Sequence, residues 1–338
     1  MRPLAVFVER FDGPSALVVR ETELRQPREG EVAITVHAGG VNFPDLLVSH
    51  GKYQDLYPLP FIIGKEGAGV VSQVDPGVTS LKVGDRVGFH LDAGAFCEQV
   101  IVPAEFCFPV PDEVTLKDAA GSILTYQTAH FALKDRGAMK PGDWVLVTGA
   151  SGGVGIATVQ LARAFGGRVI AAISSEAKRA FVEASGAEAV IDLSQPDLPN
   201  ALRKQVNAAT GGRGVDLVID NMGGAAFDAS LRAIAPGGRL AVVGFTSGVI
   251  PAVKANYLLL KGIAVTGVNW NRLRQADDPA AAAQIRQTQQ EVYGLLAGGE
   301  IKSPVTAAFK MSDVAAALSA FEQRKTMGKI VLTTRHLQ

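Results

Sequence analysis

Two cysteines in 338 residues, Cys97 and Cys107, match no metal-pair spacing and predict ordinary thiols in a reducing compartment. Neither charge sign is in excess, because 33 basic residues balance 33 acidic ones, and this excludes the basic surface that nucleic acid or a membrane requires. No apolar run reaches the ~20 residues of a membrane span, and no apolar stretch followed by a cleavage site marks a signal peptide. These absences predict a cytoplasmic globular protein without nucleic-acid or membrane partners.

The residues that are present predict a two-domain protein. Hydrophobic residues make up 47% of the chain, enough for a substantial core, and 338 residues are typical of two domains. The first ~120 residues alternate short apolar runs with turn signals such as Asp75-Pro76-Gly77, which is typical of β structure. From about Lys117 the pattern becomes Ala-rich with helical spacing, and after Pro141-Gly142 strands and helices alternate.

The alternating part predicts an α/β fold with a doubly wound parallel sheet. Six short apolar runs separated by helical segments are predicted as its strands: WVLVTG, RVIAAIS, AVIDL, VDLVIDNMG, RLAVVGF and IAVTGVNW. A further helix is predicted over 279–297. The final strand, in the segment GKIVL, has no place in the parallel sheet, so we expect it to pair with the N-terminal β-rich part.

A glycine-rich turn, GASGGVG at 149–155, follows the first of these strands. Small residues allow a tight turn, let the backbone approach a pyrophosphate and let the helix pack on the sheet. The helix N-terminus then presents N–H groups and a positive dipole end to the anion. Because this turn lies between the first strand and the first helix of the alternating part, the sequence predicts a dinucleotide-binding site.

The end of the second strand indicates which dinucleotide is bound. NAD-binding proteins usually carry an acidic residue there, whereas this strand ends in Ser174 and Ser175, with Lys178 one helical turn later. Two hydroxyls and an ammonium suit a 2′-phosphate, so the missing acid predicts NADPH. Two alternatives remain open: Glu176 serves NADH if it turns inward, and Lys178 lies on a solvated helix face.

Six segments together match one known family: GVNFPDLLVSHGKY (40–53), PFIIGKEGAGVV (60–71), VGDRV (83–87), TYQTAHFAL (125–133), GASGGVG and GKIVL (328–332). Over essentially its whole length the chain resembles the zinc-independent quinone oxidoreductase (zeta-crystallin-like) family of the medium-chain dehydrogenase/reductase superfamily. The resemblance implies a Rossmann domain inserted in a GroES-like β-rich catalytic domain. It places the catalytic domain at 1–122, the NADPH-binding domain at 123–302 and a return to the catalytic domain at 303–338.

The resemblance also bears on zinc. Zinc dehydrogenases of this superfamily carry a Cys ligand at the position of Asn42 and a His ligand at the position of Lys65. An amide and an ammonium are poor zinc ligands, since the ion prefers thiolate, imidazole and carboxylate. The cysteine-bearing lobe for structural zinc is missing between Gly94 and Phe108. We therefore predict that the chain binds no metal.

Without a Lewis acid nothing lowers the pKa of a substrate hydroxyl, which disfavours alcohol oxidation. A quinone or α,β-unsaturated carbonyl can still accept a hydride, because conjugation carries the charge to oxygen. The resemblance implies that Asn42 and Tyr53 are hydrogen-bond donors near the nicotinamide, with Lys65 ranked behind them and Asp45 orienting its neighbours. For Tyr53, proton donation and simple packing at the edge of the cleft remain equally open.

The resemblance further implies a set of cofactor contacts. They are Asn42 and Thr128 near the nicotinamide, Gly152, Gly153, Val154 and Gly155 at the pyrophosphate, Ser174, Ser175 and Lys178 around the 2′-phosphate, Asn221 and Met222 at the adenosine ribose, Gly244, Phe245, Thr246, Val268 and Asn269 on the carboxamide side, and Lys329 reaching the cleft. One position departs from the family. Leu193 stands where a Tyr often contacts the 2′-phosphate end, which weakens NADPH selection without supplying the acid that NADH needs.

The leading hypothesis is an NADPH-dependent reductase of quinones or α,β-unsaturated carbonyls. An alternative is an enoyl-CoA or acryloyl-CoA thioester reductase, in which Arg272, Arg274 and Arg286 contact CoA phosphates instead of forming a solvated basic face. A third hypothesis, a non-catalytic nucleotide-binding or RNA-associating protein, is disfavoured by the neutral charge. The resemblance also implies a homodimer formed through the last Rossmann strand, about 263–268.

Overall fold

The structure, a computed structural model, describes residues 2–276, 278–323 and 326–337. The chain divides into two compact units. The first unit comprises Met1–Leu124, Asp277–Gly299 and Ser303–Gln338, and the second comprises Thr125–Ala276 with Glu300–Lys302. Within the described ranges, no helix combines the length and the apolar character that crossing a membrane requires.

The N-terminal part of the first unit is mainly β structure. Its strands are β1 (Leu4–Val8), β2 (Leu17–Glu21), β3 (Glu31–Val41), β4 (Phe61–Ile62), β5 (Glu66–Val74), β6 (Arg86–His90), β7 (Gln99–Pro103) and β8 (Cys107–Pro109), and its helices are α1 (Phe43–Ser49) and α2 (Leu116–Gly121). Asn42 caps α1 in a capping box with Asp45, which satisfies backbone N–H groups at the start of this short helix.

The second unit alternates strands and helices. Its strands are β9 (Trp144–Thr148), β10 (Arg168–Ile173), β11 (Ala189–Asp192), β12 (Val215–Asp220), β13 (Ile234–Val242) and β14 (Ala264–Gly267). Its helices are α3 (Leu124–Phe131), α4 (Gly153–Ala164), α5 (Arg179–Ala184), α6 (Leu198–Thr210), α7 (Gly224–Ala233), α8 (Ala255–Lys261) and α9 (Trp270–Arg274). These strands form one parallel sheet in the order β11-β10-β9-β12-β13-β14. The predicted doubly wound parallel sheet is confirmed.

The rest of the chain belongs mainly to the first unit and comprises α10 (Pro279–Ala297), β15 (Val305–Lys310), α11 (Val314–Glu322) and β16 (Lys329–Thr333). The main sheet of this unit has the order β15-β16-β3-β5-β6-β8, with β7 also paired to β3, and a smaller sheet has the order β2-β1-β4. Strand β16 runs antiparallel to β3, with Ile330 opposite Val41. The final strand of the chain therefore pairs with the N-terminal β structure.

Helix α10 lies with the first unit, whereas the predicted limit at residue 302 grouped it with the Rossmann part. Its Tyr293 is fully buried, and the phenolic hydroxyl donates to the carbonyl of Ala119 at 3.4 Å. Gly88 leaves the space for this hydroxyl, because a Cβ there would lie 2.1 Å from the Tyr293 oxygen. Gln289 donates to the Ser122 carbonyl at 3.2 Å, so α10 packs by specific contacts that local sequence patterns do not reveal.

We expect Gly88→Ala to destabilise the protein by about 1–3 kcal/mol, because the added methyl group overlaps the Tyr293 hydroxyl. The matched control is Gly294→Ala in α10 itself, where nothing lies within 4 Å of the new Cβ. The control is expected to raise stability by up to about 1 kcal/mol, since Ala is the better helix former. Urea unfolding of both variants measures the difference; equal stabilities would contradict the packing of α10 described above.

Candidate active site

The glycine-rich turn of the second unit joins β9 to α4. Gly149 adopts a left-handed conformation, φ +61°, directly after the strand, and Gly152 caps the helix. Gly155 lies against the turn itself, because a Cβ there would be 2.2 Å from the Gly149 carbonyl oxygen. The turn therefore needs glycine at Gly149 for its backbone conformation and at Gly155 for close packing of the helix.

The N-terminus of α4 fits a phosphate group. This helix has 12 residues, carries no acidic residue in its first turn and has no side-chain hydrogen bond at its cap. The first N–H groups of a helix, here those of Gly153, Val154 and Gly155, have no acceptor within the helix. Together with the positive dipole end they suit an anion, and the pyrophosphate contact expected at this turn stays a prediction.

A buried carboxylate that the sequence analysis did not single out organises the next loop. Asp220, fully buried at the end of β12, accepts from the Thr148 hydroxyl at 2.6 Å and from the Gly223 N–H at 2.9 Å. Burial raises the pKa of Asp220, and these hydrogen bonds oppose that rise. The side-chain amide of Asn221 donates to the Thr148 carbonyl at 2.8 Å. These bonds hold Asn221 and Met222 beside the glycine-rich turn.

The loop after β13 is hydrogen-bonded to the same place. The Thr246 hydroxyl donates to the Asn221 carbonyl at 3.0 Å, and the Thr246 N–H donates to it at 3.2 Å. Predicted cofactor contacts from β12 and β13 are thus brought together: Asn221, Met222, Gly244, Phe245 and Thr246. The other predicted contacts of this unit lie apart along the chain: half-buried Thr128 on α3, Val268 after β14, and Asn269, which caps α9 by accepting from the Arg272 N–H.

The predicted 2′-phosphate site lies at the end of β10. Ser174 and Ser175 are exposed there, and Lys178 follows in a short 3₁₀ turn. The Glu176 carboxylate forms an ion pair with Arg179, both oxygens accepting from its guanidinium, so Glu176 is engaged on its own turn. Arg179 is a second cation beside Lys178 that the sequence analysis missed, although its place next to Lys178 was the available signal.

The departure at Leu193 has a structural explanation. Its side chain is partly buried and packs against the hydrophobic core of the second unit, and its N–H donates to the Ile173 carbonyl at 2.8 Å. The polar group next to it is Asp192, whose pKa is lowered mainly by hydrogen bonds from Ser194. An apolar residue at 193 therefore supports the sheet.

In the first unit, the predicted site residues Asn42 and Lys329 form a buried cluster with Glu66. The Lys329 ammonium donates to Glu66 at 2.5 Å, to the Val41 carbonyl at 3.0 Å and to the side-chain oxygen of Asn42. The amide nitrogen of Asn42 donates to Glu66 at 2.8 Å and to the Gly40 carbonyl at 3.1 Å. Glu66 was not predicted; a charged residue at the start of an otherwise apolar strand was the available signal.

These bonds define what the cluster can do. Both hydrogens of the Asn42 amide and its oxygen are engaged within the unit, so Asn42 orients Lys329 and Glu66 in this arrangement. The predicted role of Asn42 as a donor to substrate stays a prediction that requires one of these bonds to open. Lys329, predicted to reach the cofactor cleft, is 2% exposed and ion-paired to Glu66.

Lys65 and Tyr53 form a second predicted group that the structure brings together. The Lys65 ammonium lies 4.9 Å from the centre of the Tyr53 ring and donates to the Asp92 carbonyl at 2.8 Å. Gly64, directly before Lys65, requires glycine, because its φ is +100° and a Cβ there would lie 2.4 Å from the Phe96 ring. This group places an ammonium and a phenol side by side.

The donor set at the two zinc-ligand positions does not fit zinc. The Lys65 ammonium has no lone pair to offer, and the Asn42 oxygen already accepts from Lys329. Across residues 2–276, 278–323 and 326–337, no group of three or more His, Cys, Asp or Glu side chains is arranged to hold a metal ion.

Comparison with known proteins identifies the family. Residues 28–112 match the alcohol dehydrogenase GroES-like domain, and residues 153–286 match the zinc-binding dehydrogenase domain. The chain is 35% identical over 320 residues to quinone oxidoreductase-like protein 2 of Bos taurus, covering 94% of this chain and 89% of that protein. The chain belongs to the quinone oxidoreductase family. This family is part of the medium-chain dehydrogenase/reductase superfamily, and the chain is an oxidoreductase that uses a nicotinamide cofactor.

Two further relatives bear on the chemistry of this quinone oxidoreductase family member. The chain is 31% identical over 341 residues to a 2-haloacrylate reductase of Burkholderia sp, covering 97% of this chain and 98% of that protein. A mycobacterial protein whose structure was solved in complex with NADPH is 34% identical, with a TM-score of 0.88 over 98% of this chain and 99% of that chain.

Substitutions at two glycines of the turn are expected to affect different properties, stability in one case and cofactor affinity in the other. Gly155→Ala should lower stability by about 1–3 kcal/mol, because its Cβ would overlap the Gly149 carbonyl. In Gly152→Ala the Cβ makes only ordinary contact, 3.5 Å from the same oxygen, so stability is retained. The methyl group nevertheless stands where a pyrophosphate approaches the backbone, and dinucleotide affinity should fall about tenfold or more.

Urea unfolding and fluorescence titration with NADPH measure the two effects. Unchanged affinity in Gly152→Ala would contradict the placement of the pyrophosphate at this turn. A stability loss of the same size in both variants would contradict the packing role of Gly155.

Proposed function

We propose that this chain is a zinc-independent, NADPH-dependent reductase of quinones or α,β-unsaturated carbonyl compounds. The observation that carries the proposal is the pair of side chains at the zinc-ligand positions. Lys65 is a hydrogen-bond donor there, and the Asn42 amide is already engaged with Glu66 and Lys329, so neither is a metal ligand. A site of this kind favours addition of hydride to an acceptor that is already electron-poor, because an ammonium and an amide are poor ligands for the metal ion that would ionise an alcohol.

NADPH is favoured over NADH by the groups at the end of β10. The acidic side chain of this turn, Glu176, is paired with Arg179. The exposed hydroxyls of Ser174 and Ser175 and the cation of Lys178 are groups that suit a 2′-phosphate. The NADPH complex of the mycobacterial relative supports the same choice. Leu193 supplies no acid, so it does not favour NADH.

The residues of the chain divide the work as follows. The N–H groups of Gly153 and Val154 hold the pyrophosphate, and Lys178 with the two serines holds the 2′-phosphate. When bound, the reduced nicotinamide supplies a hydride. In the first unit, Tyr53 and Lys65 offer O–H and N–H donors that stabilise negative charge developing on a substrate oxygen, while Asn42 holds Lys329 and Glu66 in place.

The names of the relatives support a conjugated acceptor, since one is a quinone oxidoreductase-like protein and another reduces a haloacrylate. The CoA-thioester alternative depends on basic residues around α9. Two of the arginines predicted to contact CoA phosphates differ in exposure. Arg272 is exposed, whereas Arg274 is only 7% exposed and is poorly placed to contact a CoA phosphate. We therefore place thioesters second.

The homodimer and the cytoplasmic location stay predictions. Strand β14, on which the predicted dimer rests, is at one end of the strand order of the parallel sheet and pairs there with β13. Leu259 and Leu260 on the preceding helix, α8, are about four-fifths exposed, at 84% and 79%. An apolar helix next to a sheet edge supports association, which sedimentation analysis of the purified protein measures directly.

The function is tested by following NADPH oxidation with 9,10-phenanthrenequinone, a simple enone and crotonyl-CoA. We expect turnover with the quinone or the enone and much slower turnover with the thioester, because the conjugated carbonyl accepts hydride without a metal. Fastest turnover with crotonyl-CoA would establish the thioester alternative. NADPH binding without turnover of any substrate would overturn the proposed function in favour of a non-catalytic protein.

Cofactor preference is tested by Lys178→Ala. The variant should bind NADPH about 10–100-fold more weakly, because it loses a charged hydrogen bond to the 2′-phosphate, and should bind NADH as the wild type does. Lys204→Ala, an exposed lysine of α6, is the matched control and should change neither affinity. Titration calorimetry measures both cofactors; equal losses for NADPH and NADH would refute the assignment.

A further inference from the structure

A small cavity in the first unit contains a buried acid and a buried cation that the proposed mechanism leaves without a joint task. It lies between α1, the segment before β5 and the loop after β6, and its volume of about 10 Å³ gives room for about one water molecule. Asp45, 1% exposed, and Lys65, 6% exposed, both line it. An acidic and a basic side chain thus line one small cavity.

The carboxyl group of Asp45 is only half satisfied. Its Oδ2 accepts from the Asn42 N–H at 2.8 Å as part of the α1 cap. Its Oδ1 is buried and, among the residues that the structure describes, has no hydrogen-bond partner. A buried carboxylate oxygen without a donor is costly, and protonation removes that cost. Burial accordingly raises the pKa of Asp45 to about 7, with the Asn42 N–H and the Lys65 charge acting in the opposite direction.

Charged groups on several elements act on Asp45. Lys65 and Lys329 favour its ionised form, and Glu66 disfavours it. The titratable side chains that line the cavity with it are Tyr57, Lys65 and Asp92. The two lysines are themselves hydrogen-bonded, Lys329 to Glu66 and Lys65 to the Asp92 carbonyl, so burial remains the dominant influence on Asp45.

We propose that Asp45 is the proton reservoir of the reductase and that Lys65 is the group through which its proton reaches the reduced substrate. The inference rests on the proposed function and adds the source of the proton to it. Lys65 stands at the position where zinc relatives place a metal ligand, beside Tyr53, and Asp45 lies behind it in the same cavity. Lys65 is thereby the proton donor, and Asp45 acts through it.

The step balances. Addition of hydride to the β-carbon of an α,β-unsaturated carbonyl moves an electron pair onto the substrate oxygen and gives an enolate. Addition of hydride to one oxygen of a quinone moves an electron pair onto the other oxygen and gives a hydroquinone anion. One N–H bond of the Lys65 ammonium breaks as its proton joins that anion, and the electron pair stays on nitrogen. The O–H bond of Asp45 then breaks, its proton restores the Lys65 ammonium, and solvent reprotonates the carboxylate. Hydride plus proton complete a two-electron reduction without a further co-reactant.

Asp45→Asn tests the reservoir with little disturbance of the fold, because the amide oxygen can still accept the Asn42 N–H in the cap. In the wild type, kcat should decline as pH rises through about 7, when the reservoir empties. In Asp45→Asn, kcat at pH 6 should be at least about tenfold lower than in the wild type, and kcat should no longer decline as pH rises through about 7. Asp55→Asn, an exposed acid nearby, is the matched control and should keep the wild-type profile.

Lys65→Arg separates proton delivery from simple charge. Arginine keeps the positive charge but releases no proton, so its kcat should fall about as far as that of Lys65→Met. Activity of Lys65→Arg close to wild type would show that Lys65 acts by charge alone and would overturn the proton path. An Asp45→Asn variant with the wild-type pH profile would overturn the reservoir.

A second readout needs no turnover. Because the folded pKa of Asp45 is raised, the folded state keeps a proton that the unfolded state loses between about pH 4 and 7. The urea midpoint of the wild type should therefore fall relative to that of Asp45→Asn as pH rises through this window, and the difference should level off above about pH 8. A constant difference would show that Asp45 holds no proton and would overturn the inference.

The two proposals fail in different ways. Absence of turnover with all three substrates would overturn the proposed function, and with it the role of the reservoir, while the stability measurement would still report the proton on Asp45. Turnover with an unchanged pH profile in Asp45→Asn would overturn only the inference drawn here from the cavity.

Discussion

The ammonium of Lys329 and the carboxylate of Glu66 meet at 2.5 Å in the interior of the first unit, where both side chains are almost completely buried. Breaking a buried pair of this kind by removing one partner typically costs about 3–5 kcal/mol, because the remaining charge has no water to solvate it. The pair joins β16 to β5, and the Asn42 amide ties β3 into it. Gly40 makes the arrangement possible, since a Cβ there would lie 2.5 Å from the Glu66 carboxylate.

This buried pair also determines which side chains of the first unit are available for chemistry. It engages Asn42 completely and encloses Lys329, whereas Lys65, Tyr53 and Asp45 lie outside it. Lys65 stands where zinc relatives bind a metal, which replaces a Lewis acid by an ammonium. A metal polarises an alcohol without giving up a proton, whereas an ammonium both polarises and donates. The exchange thus suits reduction better than alcohol oxidation.

Much of the second unit could be predicted from the sequence because its signals are local. Each strand is a short apolar run next to a helix, and the turn at Gly149 combines a strand end, small residues and a helix start within a few positions. The Glu66–Lys329 pair could not be predicted, since the two residues are 263 positions apart and no local sequence pattern at either one indicates its partner. The packing of α10 could not be predicted for the same reason. The space for the Tyr293 hydroxyl depends on Gly88, which is on a strand far away in the sequence.

The path of the chain through the first sheet has a consequence for the order in which the protein is made. Strand β16, with Lys329 at its start, leaves the ribosome long after β3, the strand with which it pairs. The second unit is nearly continuous in sequence and can fold while synthesis proceeds. The first unit must wait with Glu66 uncompensated until β16 arrives, so a nascent chain that stops short of β16 can form the parallel sheet of the second unit but not the Glu66–Lys329 pair of the first.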